Sequence, residues 1–308
     1  MAGGINMTSN HPKMMWPGVK GIWGLAYNQH PAEYPKLYKI ETSGKKYEEI
    51  VQLRGGTMAP VREEGASTSF TSTSQGYVTR ATHVSYALGY IVTYNELKDN
   101  LYMEVSKGRA ESNAFSMRQT KETVCANLYN RAFNTSYTYG DGKALIVVDH
   151  PSSAGAWSNR LTAATALSET ALEDLLTLIM QAKTDSGQTA SLMPQGLHVP
   201  PALWWDANRI LKSVDQSNLS GTAGSNNQNV LRATNALPGG INMNHYFTSA
   251  TAYFVGTNVP QGMLLFNRDA YSLKKDNDFY TDNALAKSFM RFSVTCADPR
   301  SIWGNPGA

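Results

Sequence analysis

The sequence predicts an α+β chain, and three features carry that prediction. One is a single very long helical stretch over residues 94–133. The second is the Ser/Thr-dense, β-prone segment before it, and the third is a closing series of short apolar runs. At 1.5 Å per residue the helical stretch would span roughly 60 Å, several times the usual helix of about 11–12 residues. A compact core rarely needs such a rod.

Taken in order, residues 1–46 mix Gly, Pro and aromatics without sustained periodicity, as in Trp16-Pro17-Gly18 and Gly21-Ile22-Trp23-Gly24, and read as an extended arm. An arm carrying Trp16, Trp23 and Tyr27 is costly to order, so these rings are expected to anchor it against a surface. Residues 48–53 form a strand, Gly55-Gly56 breaks it, residues 65–76 are almost entirely small or hydroxylated, and residues 77–92 return as β sequence. That pattern is an extended hairpin whose tip is too polar for a core. Arg62, Glu63 and Glu64 place both charge signs there, and with Arg54 they are candidate contact residues.

Thr93 with Glu96 forms a capping box that marks the helix start. Leu97, Leu101 and Val105 give its first apolar stripe, and Val124, Leu128 and Ala132 resume one near the end. Between them Gly108, Ser112 and Ser116 leave the face small. Lys107 with Glu111 and Arg118 with Glu122 are spaced for a solvated side, and no a/d repeat supports a coiled coil.

Residues 139–142 make a turn and 145–148 a short strand. Ser168 caps a second helix with Leu172, Leu175, Leu176, Ile179 and Met180 on one face, and Gly187 lies past its end. Residues 197–199 read as a buried strand. Pro200-Pro201 introduces a helix carrying Leu203, Ala207, Ile210 and Leu211, and residues 221–229 are a polar loop. Four strands follow at 243–247, 252–255, 263–266 and 289–296, the last strictly alternating.

The 308 residues can bury one large core or two closely joined ones, and 42% hydrophobic against 17% charged residues marks a folded chain. The net charge of +3 comes without any basic run, so sequence-specific nucleic-acid binding has no support; non-specific phosphate contact needs only local charge. Cys125 and Cys296 belong to no Cys/His cluster, which speaks against zinc and a disulfide framework and fits a reducing compartment. No signal-peptide pattern and no run of about 18 apolar residues occurs, so neither secretion by that route nor a membrane span is expected.

Catalytic motifs are not found. Gly140-Asp141-Gly142-Lys143 lacks the upstream Gly and the following Ser or Thr of a phosphate loop. Asp276, Asp278 and Asp282 match a calcium loop only in charge and read as a solvated loop. Asp149-His150 has no nucleophile elbow to serve, and His198, inside an apolar strand, reads as a core histidine with its hydrogen bonds made. No catalytic residue, metal site or cofactor is expected.

In this order the parts resemble the major capsid proteins of tailed phages, with the Hong Kong-97-type capsid fold. Local stretches carry the resemblance: Leu197-His198-Val199-Pro200-Pro201-Ala202-Leu203, Gly262-Met263-Leu264-Leu265-Phe266-Asn267-Arg268, and Phe289-Met290-Arg291-Phe292 through to Asp298-Pro299. The resemblance implies an N-terminal arm over 1–46 and an extended loop over 47–80. It implies a peripheral domain from 81–139 and 243–308, built on the long spine helix 94–133, and an axial domain over 140–242. It also implies self-assembly as pentamers and hexamers into an icosahedral head shell around double-stranded DNA. Implied partners are a portal, a decoration protein and the packaged DNA, with assembly in the host cytoplasm and residence in the virion. An encapsulin-type nanocompartment shell is the alternative. Two departures stand out. Some relatives link subunits through a Lys on the extended loop, but this sequence has no Lys between Lys46 and Lys98, so non-covalent shells are expected. No long helical segment precedes the arm, so a separate scaffolding protein is expected.

Overall fold

A computed structural model describes residues 31–56, 58–99, 103–215 and 228–308. In chain order its strands and helices are β1 (Lys39–Thr42), β2 (Tyr47–Arg54), β3 (Ser74–Thr82), β4 (Val84–Val92), α1 (Tyr94–Asp99), α2 (Met103–Asn130), α3 (Glu169–Met180), β5 (Pro194–Val199), α4 (Trp204–Lys212), α5 (Val230–Ala233), β6 (Ile241–Met243), β7 (Tyr253–Thr257), β8 (Met263–Asn277), β9 (Ala284–Cys296) and β10 (Ile302–Asn305). They form a sheet in the order β1-β8-β9-β4, a second in the order β10-β7-β5-β6, and the separate hairpin β2-β3.

Two hydrophobic cores follow from these sheets. In the first, α2 lays Met117, Cys125, Ala126 and Tyr129 on Leu265, Met290 and Phe292 of the first sheet. In the second, the apolar face of α3 (Leu172, Leu175, Leu176 and Ile179) meets Leu197, Val199, Ala207, Ile210 and Trp303. Strand β7 serves both, because alternate side chains of a strand point to opposite faces: Phe254 enters the first core, Tyr253 and Val255 the second. Ser168 caps α3 as its position predicts, accepting from the Ala171 amide.

Several elements differ from the sequence reading. The segment 77–92 breaks at His83 into β3 and β4, which join different sheets. His83 holds the break by bridging Ser43 Oγ at 3.0 Å and Ser293 Oγ at 2.9 Å. The long helix ends at Asn130, not at 133, in a turn over 131–133, and residues 100–102 between α1 and α2 lie outside the described residues. Residues 145–148 form no strand, although Leu145 and Ile146 are buried. Their amides bond one at a time, Ile146 to the Ala132 carbonyl and Val147 to Asn159 Oδ1, so no ladder develops. Gly187 does not end α3; it sits in the following turn at φ +85°, while Gln181 is the cap. The strand expected at 243–247 is Ile241–Met243, and β8 runs far beyond 266 into an exposed ribbon with β9. Residues 39–42, read as arm, form β1, and β10 has no counterpart in the sequence reading. Most of the polar loop 221–229 lies outside the described residues.

Candidate functional site

The β2–β3 hairpin pairs Tyr47 with Thr82 at its root and Arg54 with Ser74 at its far end, with a register shift between Val51 and Leu53. Beyond Arg54 the chain carries Val61 97% exposed and Phe70 95% exposed, packed on no core. Arg62 donates from Nε to the Ala66 carbonyl at 2.8 Å across a turn in which Gly65 takes φ +78°, a conformation costly for any side-chain-bearing residue. Glu63 and Glu64 in the same turn are exposed.

Arg54 behaves differently. Its Nε lies 3.1 Å from Asp185 Oδ2, an ion pair without hydrogen-bond alignment, and Gln188 Nε2 donates to the Gly56 carbonyl at 3.2 Å. These contacts tie the hairpin to the α3–β5 connection. Arg54 is thus brought to the hairpin's attachment, apart from Arg62, Glu63 and Glu64 near the tip. Trp16, Trp23 and Tyr27 lie outside the described residues.

The base of the arm is fixed by Glu122, which the spacing had placed on a solvated helix side. It is buried instead: its two carboxylate oxygens accept the Glu33 and Tyr34 amides, each at 3.0 Å. Burial pushes the carboxyl pKa up, and the two amide donors hold that rise back. Glu33 in turn accepts from the His245 amide at 2.9 Å. Glu122→Ala leaves two amides without an acceptor, at about 1–3 kcal/mol for each that stays dry. Tryptic cleavage after exposed Lys36 is expected to rise at least about tenfold, since proteolysis follows the population of the opened segment. An unchanged rate would show that this clamp is not what holds the arm base.

A second projection is the β8–β9 ribbon. Asp278 organises its tip, accepting from Thr281 Oγ1 at 2.7 Å and the Tyr280 amide at 3.2 Å, which lowers its pKa, while Asp282 sits at φ +52°. This is the solvated acidic loop the sequence indicated. Sequence reasoning missed that it displays Phe279 and Tyr280, 90% and 92% exposed, their rings edge-on to each other at 5.7 Å. Two adjacent aromatics inside a polar turn were the available signal.

His150 is fully buried with both ring nitrogens engaged, Nδ1 with Asp141 at 2.6 Å and Nε2 with Asn159 Oδ1 at 3.1 Å. Asn159 also donates to the Leu145 carbonyl at 2.8 Å and the Ile302 carbonyl at 3.2 Å, tying this loop to β10. His198 is buried as expected, but Nδ1 finds no hydrogen-bond partner among the described residues, correcting the expectation of a satisfied ring. Burial, then nearby Lys36, depresses its pKa to about 4. Both thiols are buried, and burial raises their pKa values well above the ordinary thiol range. Among the described residues no group of three His, Cys, Asp or Glu could hold a metal, and no helix is long and apolar enough to cross a membrane.

Comparison with known proteins gives this architecture its place. A family model described as phage capsid protein matches residues 76–305. No curated protein matches the chain. Among solved structures, the capsid of the native GTA particle superposes with a TM-score of 0.58 at 11% identity, over 99% of this chain and 100% of that one. The capsid of Cyanophage P-SCSP1u gives 0.57 at 12% identity, over 95% and 92%. The virus-like particle from Pyrococcus furiosus gives 0.51 at 12% identity, over 91% and 94%. At such identities the likeness is one of fold, and the fold is the Hong Kong-97 type. With the family match running from β3 to β10, the chain belongs to the phage capsid protein family, as a major capsid protein.

Proposed function

We propose that this capsid protein builds the icosahedral head shell enclosing the double-stranded DNA of a tailed phage, as pentamers and hexamers with no catalytic step of its own. The observation that carries this reading is the β2–β3 hairpin, which places Val61 and Phe70 in solvent beyond either core. An isolated globule gains nothing from such an element, whereas a subunit that tiles a surface extends each contact with it. Contacts of about 2,000 Å² or more, dominated by a few buried aromatic or arginine anchors, are the expected scale. Trp16, Trp23 and Tyr27 of the arm, and Arg54, Arg62, Glu63 and Glu64 of the hairpin, are proposed as contact residues between subunits.

The proposed organisation is an arm over 1–46, an extended loop over 47–80, a peripheral domain from 81–139 and 243–308, and an axial domain over 140–242; the cores cross these bounds, since Leu145 and Ile146 join the first and Tyr253, Val255 and Trp303 the second. A separate scaffolding protein, a portal and a decoration protein complete the proposed assembly, which takes place in the host cytoplasm. Contact with packaged DNA is non-specific, through scattered basic residues.

Negative-stain microscopy of the chain expressed with its assembly partners is expected to show closed shells. Boiling those shells in detergent is expected to return monomers, because the extended loop carries no Lys for a covalent link. A lone monomer under assembly conditions would defeat the reading. A ladder of detergent-resistant oligomers would defeat its non-covalent part, and a shell filled with an enzyme cargo instead of DNA would favour the nanocompartment.

A further inference from the structure

Among the described residues, the outer half of the first sheet is covered on one face only. Ala286, Ser288 and Met290 of β9 point towards α2, where Ser288 bonds Asn113, so Leu285, Lys287 and Phe289 point the other way. On that second face Lys287 stands directly opposite Lys274 of β8 on one side and Gly89 of β4 on the other. Like charges paired across strands repel, and neither lysine has an ion-pair partner among the described residues. The missing side chain at Gly89 leaves a depression beside this rung, a groove of about 550 Å³ with Ile91 and Leu285 on its apolar side; Lys274, Lys275 and Lys287 line it against a single acid, Asp276, which stands opposite Leu285 and leaves the groove net basic. The tip of the same ribbon carries the opposite features: acidic Asp278 and Asp282 flanking the exposed pair Phe279 and Tyr280.

We propose that the ribbon tip of one subunit seats in the Gly89 groove of a second copy. Phe279 and Tyr280 lie against Ile91 and Leu285, and the tip carboxylates neutralise the Lys274–Lys287 rung. The inference rests on the shell reading above, which brings copies of this chain edge to edge, and charge complementarity selects the occupant. Acidic tip meets basic groove, and a single chain cannot satisfy both because its tip points away from its own groove along the strands. The contact is heterologous, so each subunit gives one tip and receives one.

Cysteine trapping tests it. Tyr280→Cys and Lys287→Cys are introduced together; within one chain these positions are separated by about 10 Å or more of strand rise, beyond disulfide reach. Native Cys125 and Cys296 are buried and do not compete. Shells assembled with the natural partners and oxidised should give a ladder of linked subunits on a non-reducing gel. Oxidised shells that run only as monomers overturn the docking while leaving the shell reading intact; failure of the unmodified chain to form shells overturns the shell reading instead. If the cysteine pair itself blocks assembly, charge reversal decides. Lys274→Glu with Lys287→Glu should reduce shell yield at least tenfold, and adding Asp282→Lys, which leaves the turn held by Asp278 intact, should restore most of it. Loss without restoration, or no loss, points to a different occupant such as the hairpin or arm of a neighbour, and the proposal fails.

Discussion

Tyr129→Ala is expected to lower subunit stability by about 3–5 kcal/mol, the range for truncating a fully buried aromatic in a core that relaxes only in part. Tyr129 packs the first core against β5 and β7 of the second sheet. Its ring stacks on Phe247 at 5.3 Å, stands edge-on to Phe254 at 5.3 Å and to Tyr38 at 6.0 Å, and faces His198 at 6.0 Å. Its hydroxyl donates to the Leu37 carbonyl at 3.2 Å, holding the chain just before β1. Such aromatic pairs contribute about 0.5–1.5 kcal/mol each beyond area burial, so Ala removes several at once and opens a cavity between α2 and β7. Tyr129→Phe keeps the ring and should cost only about 1 kcal/mol, the hydrogen bond alone. Urea denaturation of the unassembled subunit, followed by tryptophan fluorescence, measures both. An Ala variant within 1 kcal/mol of the parent would mean that the junction repacks freely.

Mild acid should destabilise the subunit through His198. With its folded pKa near 4 against an ordinary 6.5, the unfolded chain takes up a proton before the folded one does. The contribution of this residue is therefore fully present above about pH 6.5 and is lost as pH falls towards 4, by up to about 3 kcal/mol at 1.36 kcal/mol per pH unit. The cause is geometric: the ring is buried, Nδ1 has no acceptor among the described residues to steady a charge, and Lys36 adds a repelling one. Glu122 works in the opposite sense, because its raised pKa makes the ionised form the disfavoured one and its contribution is lost as pH rises. Comparing parent and His198→Asn separates the two. Between pH 7 and pH 5 the parent should lose about 2 kcal/mol more than the variant, and parallel losses would rule the histidine out.

Local pattern made part of this molecule legible. Alternation announced β9, 3.6-residue spacing with Ser168 announced α3, and the Gly and Ser/Thr excursion announced the projecting hairpin. Elements defined only by distant partners were hidden. β1 is four residues whose pairing comes from Leu264 to Asn267, and β10 is four buried residues whose pairing comes from β7. Residues 145–148 have the apolar content of a strand, but their amides are taken by Ala132 and Asn159, a choice made by tertiary neighbours. Burial of His198 followed from Leu197 and Val199 beside it, while the lack of a partner for Nδ1 depended on how two cores meet. At the candidate contact sites, exposure of Arg62, Glu63 and Glu64 followed from polarity. The attachment of Arg54 to Asp185, 131 positions away, did not.

The parallel pairing of β1 with β8 also fixes a schedule for biosynthesis. Lys39 must wait for Leu264, 225 positions later, before its strand has a neighbour. At ribosomal rates of about 5–20 residues per second the delay is on the order of 10–45 s. For most of that interval, once Thr82 has been added, the nascent hairpin is already made while the sheet beside it is incomplete, and its hydroxyl-rich composition keeps it hydrated. Translation thus delays the finished tile until nearly the whole polypeptide has left the ribosome.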